Sequence, residues 1–378
     1  MKFTKILLAT LSLAFIQSCS NNDDEIIELN QGTLNASYDA TRLKTTTIAP
    51  TISGFENATY TWKLGNEIIG NDKSLGFVSD KAGSYDLTLE IKSLTKTSTV
   101  KTTVKVAQES STYSKYISQV FDYLPAVGQF TNKLPAYVDG DTQTEMTAKA
   151  GKALIGEKPS MITLGGYGGY VVFGFDHTIL NQKDKRDFKV LGNGFAGSSE
   201  PGIIMVAYDK NKNGKPDEDE WYEIAGSEYS NPTTIKNYTI TYHKPTVEDS
   251  KATPEYIKWE DNQGKSGYKA KNTFHKQSYY PLWFGQNQLK FSGSLLANNY
   301  TEKNGIWTGK QLAYGYADNA ANNSEDSNID IDWAVDKNGN PVKLMGIDFI
   351  KVYTATNQEA GWLGEISTEV AGAYDLHL

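Results

Sequence analysis

The sequence of 378 residues has a single cysteine, Cys19, so no disulfide can close within the chain. Histidine is scarce as well: His177, His243, His275 and His377 show no metal-ligand spacing, and no H-E-x-x-H pattern occurs. There is no Gly-x-Ser-x-Gly nucleophile elbow. The glycine-rich run Gly165-Gly166-Tyr167-Gly168-Gly169 lacks the Lys-Ser/Thr pair of a phosphate loop, and close backbone approach inside a sandwich explains it better. Basic charge is in deficit, 37 Lys and Arg against 45 Asp and Glu for a net charge of -8, which argues against nucleic acid as a partner. No apolar run reaches the roughly 20 residues that a membrane-crossing helix needs. Stability must therefore come from core size or from bound metal.

The N-terminus carries an export signal. Met1-Lys2-Phe3-Thr4-Lys5 is basic, Ile6 to Ile16 is apolar apart from Thr10 and Ser12, and Gln17-Ser18-Cys19 follows. Ile16-Gln17-Ser18-Cys19 resembles a bacterial lipobox. That resemblance implies a signal peptide over residues 1–18, acylation of Cys19 and a membrane anchor; acyl chains contribute about 0.8 kcal/mol per buried methylene. The acidic stretch Ser20 to Glu25 lies in a polar tether over 19–30. It resembles the tag that directs lipoproteins of Bacteroidetes to the outer face of the outer membrane.

Beyond the tether the composition is that of an all-β protein: aromatics make up 12%, Gly numbers 33, and long helical periodicity is scarce. Thr59 to Leu64, Ser84 to Ile91 and Ser98 to Val106 alternate with period two, which predicts a small β-sandwich over residues 31–107. The early strand Trp and the run Ala82-Gly83-Ser84-Tyr85-Asp86-Leu87 resemble the PKD-type immunoglobulin-like domain, commonly a spacer. A polar linker leads into residues 113–378. There Ser114 to Tyr123 suits a short helix or an irregular strand. Segments at Met161–Leu164, Tyr170–Phe175, Phe188–Leu191, Gly202–Tyr208, Trp221–Ile224, Tyr238–Tyr242 and Ile347–Tyr353 read as strands of a larger jelly-roll-like sandwich.

Asp209 to Glu220 matches D-x-[DN]-x-[DN]-G-x5-E in full. Calcium takes six to eight oxygens. Asp209, Asn211 and Asn213 alternate so as to face one centre, Gly214 permits the turn, and the Lys215 carbonyl, Asp217 and Glu220 would complete the shell. Strand-like sequence flanks the loop on both sides, so a structural Ca2+ between two strands is expected; the alternative is a polar hairpin. A sensor would need a helix pair, and none is visible.

Further phrases carry a family resemblance: Phe121 to Phe130, Leu164 to His177, Gly192-Asn193-Gly194-Phe195, Ser199-Glu200-Pro201-Gly202, Trp221-Tyr222-Glu223, Asp330 to Asp336 and Gly361 to Glu369. Together they resemble a Bacteroidetes cell-surface lipoprotein family with an N-terminal PKD-like domain. The resemblance implies ligand capture beside an outer-membrane transporter of glycans or corrinoids. It identifies no binding residue. The aromatic stretch Trp259 to Trp283 is the candidate binding segment, through Trp259, Tyr268, His275, Tyr279, Tyr280 and Trp283; the alternative is that these rings pack in the core. Asp330 and Asp332 would share one face of a strand, as a carboxylate pair, a second metal site or turn caps. Asp176-His177 reads foremost as a hydrogen-bonded structural pair. The expected function is non-enzymatic ligand binding at the cell surface, with a carbohydrate-active hydrolase and an adhesion protein as alternatives.

Overall fold

The computed structural model describes residues 32–248 and 251–378. The expected signal peptide, Cys19 and the tether lie outside the described residues. Among the described residues no helix is long and apolar enough to cross a membrane.

The protein is all-β, with an immunoglobulin-like unit at its N-terminus. Five strands form that unit's main sheet, in the order Ser37–Thr41, Thr97–Ala107, Gly83–Lys92, Thr59–Leu64, Glu67–Gly70. The first pair is parallel and the others are antiparallel. Alternation sorts the side chains of Gly83–Lys92: Leu87, Leu89 and Ile91 are buried while Asp86, Thr88 and Glu90 are not. A second pair, Thr46–Ile48 with Leu75–Phe77, adds Ile48, Leu75 and Phe77 to the same core. Trp62 lies at its centre, fully buried, and its indole donates to the Asp72 carbonyl at 3.0 Å.

The larger unit is built on a seven-stranded sheet. Its main path runs Gln119–Leu124, Tyr170–Leu180, Gly346–Thr354, Gly202–Ala207, Trp221–Ile224, Ala334–Val335. Both faces are covered. On one, Val171, Phe173, Ile204, Val206, Ile350 and Val352 pack against the helix Gln143–Leu154 and a three-stranded sheet. On the other, Ile203 and Tyr353 meet Tyr238, Ile240, Tyr242 and Phe291 of a four-stranded sheet. Every strand read from the sequence is present. The segment before Leu124 is the irregular strand, with a register shift between Val120 and Asp122. The helix Gln143–Leu154 was not expected. Its signals are a capping box of Thr142 with Glu145, and Met146, Ala150 and Leu154 on one buried stripe.

The glycine run does what close packing requires. A Cβ at Gly169 would lie 1.9 Å from the Leu164 carbonyl oxygen, and one at Gly168 would lie 2.2 Å from Phe291 Cβ. His177 is buried between Asp176 and Asp375, at 2.9 Å from each, the structural pair expected. Asp330 and Asp332 do not lie on a strand. Asp330 caps the single 3-10 turn Ile331–Trp333 that contains Asp332, its carboxylate accepting from the Asp332 amide, and Arg186 and Lys343 neutralise the two separately. The turn-cap alternative therefore describes them.

The N-terminal module is docked against the larger unit. Asp348, on the central strand, accepts from Thr45 Oγ1 at 3.0 Å and from Thr178 Oγ1 at 2.5 Å, and its other oxygen takes the Asp209 amide at 2.8 Å. Tyr222 donates to Asp72 at 2.5 Å, Asn71 bonds both ways with Pro341 and Lys343, and Tyr208 covers Gly76. A Cβ at Gly76 would lie 2.6 Å from the Tyr208 ring. Gly76→Val should therefore cost about 1–3 kcal/mol by overpacking. In calorimetry the wild type is expected to melt in one transition and Gly76→Val in two, the module first. An unchanged single transition would show that the joint contributes nothing.

Candidate functional site: an acidic pocket with an aromatic rim

Residues distant in sequence converge on a pocket of about 370 Å³. Its floor is built from the carboxyl groups of Glu200, Glu365 and Glu369, with Asp318 behind the first and last of them. Asp318 follows the short strand Tyr316–Ala317, which pairs with the start of Gly202–Ala207, and Glu200 stands just before that strand. Glu369 opens a short strand paired with Ile162–Thr163. Glu200, Asp318 and Glu369 each offer an oxygen, all within 4.8 Å of one another. Glu365 lines the same pocket.

The backbone is shaped to hold them. One Asp318 oxygen accepts from the amides of Asn193 and Gly194, both at 2.7 Å, and the other accepts from Glu369 N at 2.9 Å. A Cβ at Gly192 would lie 2.2 Å from Asp318 Oδ1, which explains the Gly-Asn-Gly phrase. Glu369 accepts from Ser367 at 2.7 Å and Thr163 at 3.0 Å. Glu365 accepts the Gln129 amide at 2.6 Å. Burial pushes all four carboxyls up; repulsion from Glu369 adds to the rise at Glu200, Asp318 and Glu365, while hydrogen bonds oppose it at Glu369, and Glu365 rises to about 8 although Lys269 nearby opposes the rise. The upward shift favours the protonated form of Glu365, and the clustered oxygens of Glu200, Asp318 and Glu369 could hold a cation.

The rim is aromatic. Phe274 is 72% exposed and Trp362 63% exposed. Phe130 and His275 meet edge to face at 4.8 Å, and burial lowers the His275 pKa. Exposed rings beside oxygen-rich groups suit a polyhydroxylated ring, whose C–H face stacks while its hydroxyls bond.

Of the binding residues expected from sequence, only His275 lines this pocket. The segment Trp259 to Trp283 is not one shelf of loops. Trp259 lies on the strand Thr253–Asp261 and Tyr268 on its partner Ser266–Lys271. Tyr279 and Tyr280 are buried in the core between the two large sheets, which corrects their reading as ligand contacts. Trp283 stacks on Tyr123 and Tyr137 and donates to Gln143 at 2.9 Å, bracing the helix from the other core. Tyr268 is exposed, but it stands apart from the pocket lining. Sequence reading missed Glu200, Asp318, Glu365 and Glu369 as a group. Three of them do fall in the quoted Ser-Glu-Pro-Gly and Gly-Trp-Leu-Gly-Glu-Ile-Ser-Thr-Glu phrases.

The twelve-residue loop lies in the antiparallel hairpin of Gly202–Ala207 and Trp221–Ile224. Asn211 and Asn213 both direct side-chain amides to Asp217 Oδ2, at 2.6 and 2.7 Å. The Asp209 carboxylate accepts from the amides of Asn213 and Gly214, and Gly214 has φ of 73°. Glu220 is buried and clamps Lys210 N and Asp217 N with its two oxygens. The loop offers oxygen donors of the kind a hard cation takes, and in the structure those oxygens accept from the loop's own amides. The Lys215 backbone amide donates to Asn213 Oδ1 at 2.7 Å.

No curated protein matches the chain. Among solved structures, a quinonprotein alcohol dehydrogenase-like protein from Bacteroides thetaiotaomicron aligns at 14% identity over 50% of this chain and 44% of its own, with a TM-score of 0.19. Three N-terminal domains of the highly immunogenic outer capsid protein of bacteriophage RB49 align at 10% identity over 48% of each chain, with a TM-score of 0.16. The chain thus spans less than half the length of either structure, and overlaps this loose carry no argument about the fold. One match is specific: residues 27–93 fit the PKD-like domain, so the N-terminal unit is a PKD-like module.

Proposed function

We propose that this protein is a non-enzymatic, lipid-anchored surface lipoprotein of the outer membrane, in which a jelly-roll-like head captures a glycan beside an outer-membrane transporter. Cys19 is the anchor. The observation that carries the binding role is the pairing of exposed Trp362 and Phe274 with the buried carboxyls Glu200, Glu365 and Glu369 in one pocket. At about 370 Å³ the pocket sits at the small end of the roughly 300–1,000 Å³ typical of small-molecule sites. It has room for one or two sugar rings. A corrinoid, the other ligand class of the resembling family, would have to rest on the rim.

Screening neutral oligosaccharides and corrinoids by isothermal titration tests the reading. Trp362→Ala is expected to weaken glycan binding about tenfold, the loss of one stacked ring. Corrinoid binding with no glycan binding would replace the ligand class, and no binding of either would favour adhesion.

A hydrolase is the second reading, favoured by one observation: Glu365 shares the pocket with Glu200 and Glu369, and burial raises its pKa to about 8, the direction a general acid needs. Incubating the bound oligosaccharide and assaying new reducing ends separates the two. Product formation abolished by Glu365→Gln would establish the enzyme.

Calcium in the Asp209–Glu220 loop is proposed as a structural ion, held by Asp209, Asn211, Asn213, Lys215, Asp217 and Glu220. A chelator is then expected to lower the melting temperature of the wild type and to leave Asp209→Ala/Glu220→Ala unchanged, because only a loop that binds the ion gains stability from it. Equal melting of the wild type with and without chelator would refute the ion.

A further inference from the structure

A second and larger cleft, of about 760 Å³, opens between the seven-stranded and four-stranded sheets. Lys351 projects into it from the middle of the central strand Gly346–Thr354, where Val172 and Met205 are its cross-strand partners. A lysine at such a position is costly, since burial disfavours its charge. Burial does lower its pKa, while Glu218 and Asp122 act on it from a distance. Among the described residues no carboxylate comes within ion-pair range of Lys351, and its ammonium rests over the face of Tyr170 at 4.5 Å. Lys236, across the cleft, differs: it is paired with Glu223 at 3.2 Å and bonded to Ser294. The cleft therefore contains one half-buried cation already neutralised and one that is not.

The remaining lining is mixed in charge, with Glu218, Glu223 and Asp336 set against Lys236, Lys290 and Lys337. Lys290, Ser292 and Ser294 come from Gln288–Leu295, an edge strand of its sheet, and Tyr170 and Trp221 add aromatic surface. Hydroxyls and rings suit a sugar, and the unpaired ammonium suits a carboxylate upon it. We propose that this cleft is a second binding site, which takes an acidic sugar of the uronate class with its carboxylate on Lys351. It is distinct from the acidic pocket, with which it shares no lining residue.

Isothermal titration of the purified full chain with trigalacturonate and with the neutral trisaccharide of galactose tests this. The acidic sugar is expected to bind at least about tenfold more tightly, the effect of one charge-assisted contact. Lys351→Met, close in length and uncharged, is expected to abolish that preference and to melt at or above the wild-type temperature, which shows that it folds. Trp362→Ala is expected to leave the preference intact, so failure of the acidic pocket as a glycan site would not affect this result. Equal affinity for the two sugars in the wild type, an undiminished preference in Lys351→Met, or loss of the preference in Trp362→Ala would each overturn the proposal.

Discussion

The central sheet is buried on both faces, and most of the molecule's chemistry follows from that constraint. A sheet covered on one side can send its polar residues to water on the other. Here Ile203, Ile204, Tyr353 and Val352 alternate between two cores, so neither face is free. Polar side chains are pushed to the strand ends, to the cleft between the sheets and to the joint with the module. Most of the enclosed ones are hydrogen-bonded, as Asp348, Glu369 and Asp318 are, while the Tyr167 and Thr356 hydroxyls are buried without a partner. The few that are not fully matched, Lys351 above all, are the ones to which a ligand can contribute.

The joint and the twelve-residue loop share a residue. Asp209 begins the loop, its amide is held by Asp348, and its carbonyl accepts from Thr47 of the module at 3.1 Å. Order in the loop and order at the joint are thus one problem for the chain. The spacer expected from the module's resemblance is, in the structure, a buttress packed against the side of the larger unit.

Local periodicity made the strands legible. Thr59–Leu64 and Gly83–Lys92 alternate cleanly, and the twelve-residue loop announces itself by spacing. The helix Gln143–Leu154 was obscured because Thr, Gln, Lys and Gly dilute its apolar stripe, leaving a capping box as its clearest sign. Tyr279 and Tyr280 were misjudged because an aromatic-rich segment looks alike whether its rings face water or a core; only tertiary contacts decide. The acidic pocket was illegible for a different reason. Glu200, Asp318 and Glu365 come together through strand pairing across more than a hundred residues of chain, and no local pattern encodes such a meeting.

The parallel pairing of Ser37–Thr41 with Thr97–Ala107 has a mechanical meaning. The chain enters the module at one end of this pair and leaves it at the other. Tension applied through the two ends would slide the strands along each other, and the rungs between Ser37 and Ala107 would be loaded simultaneously instead of being unzipped one by one.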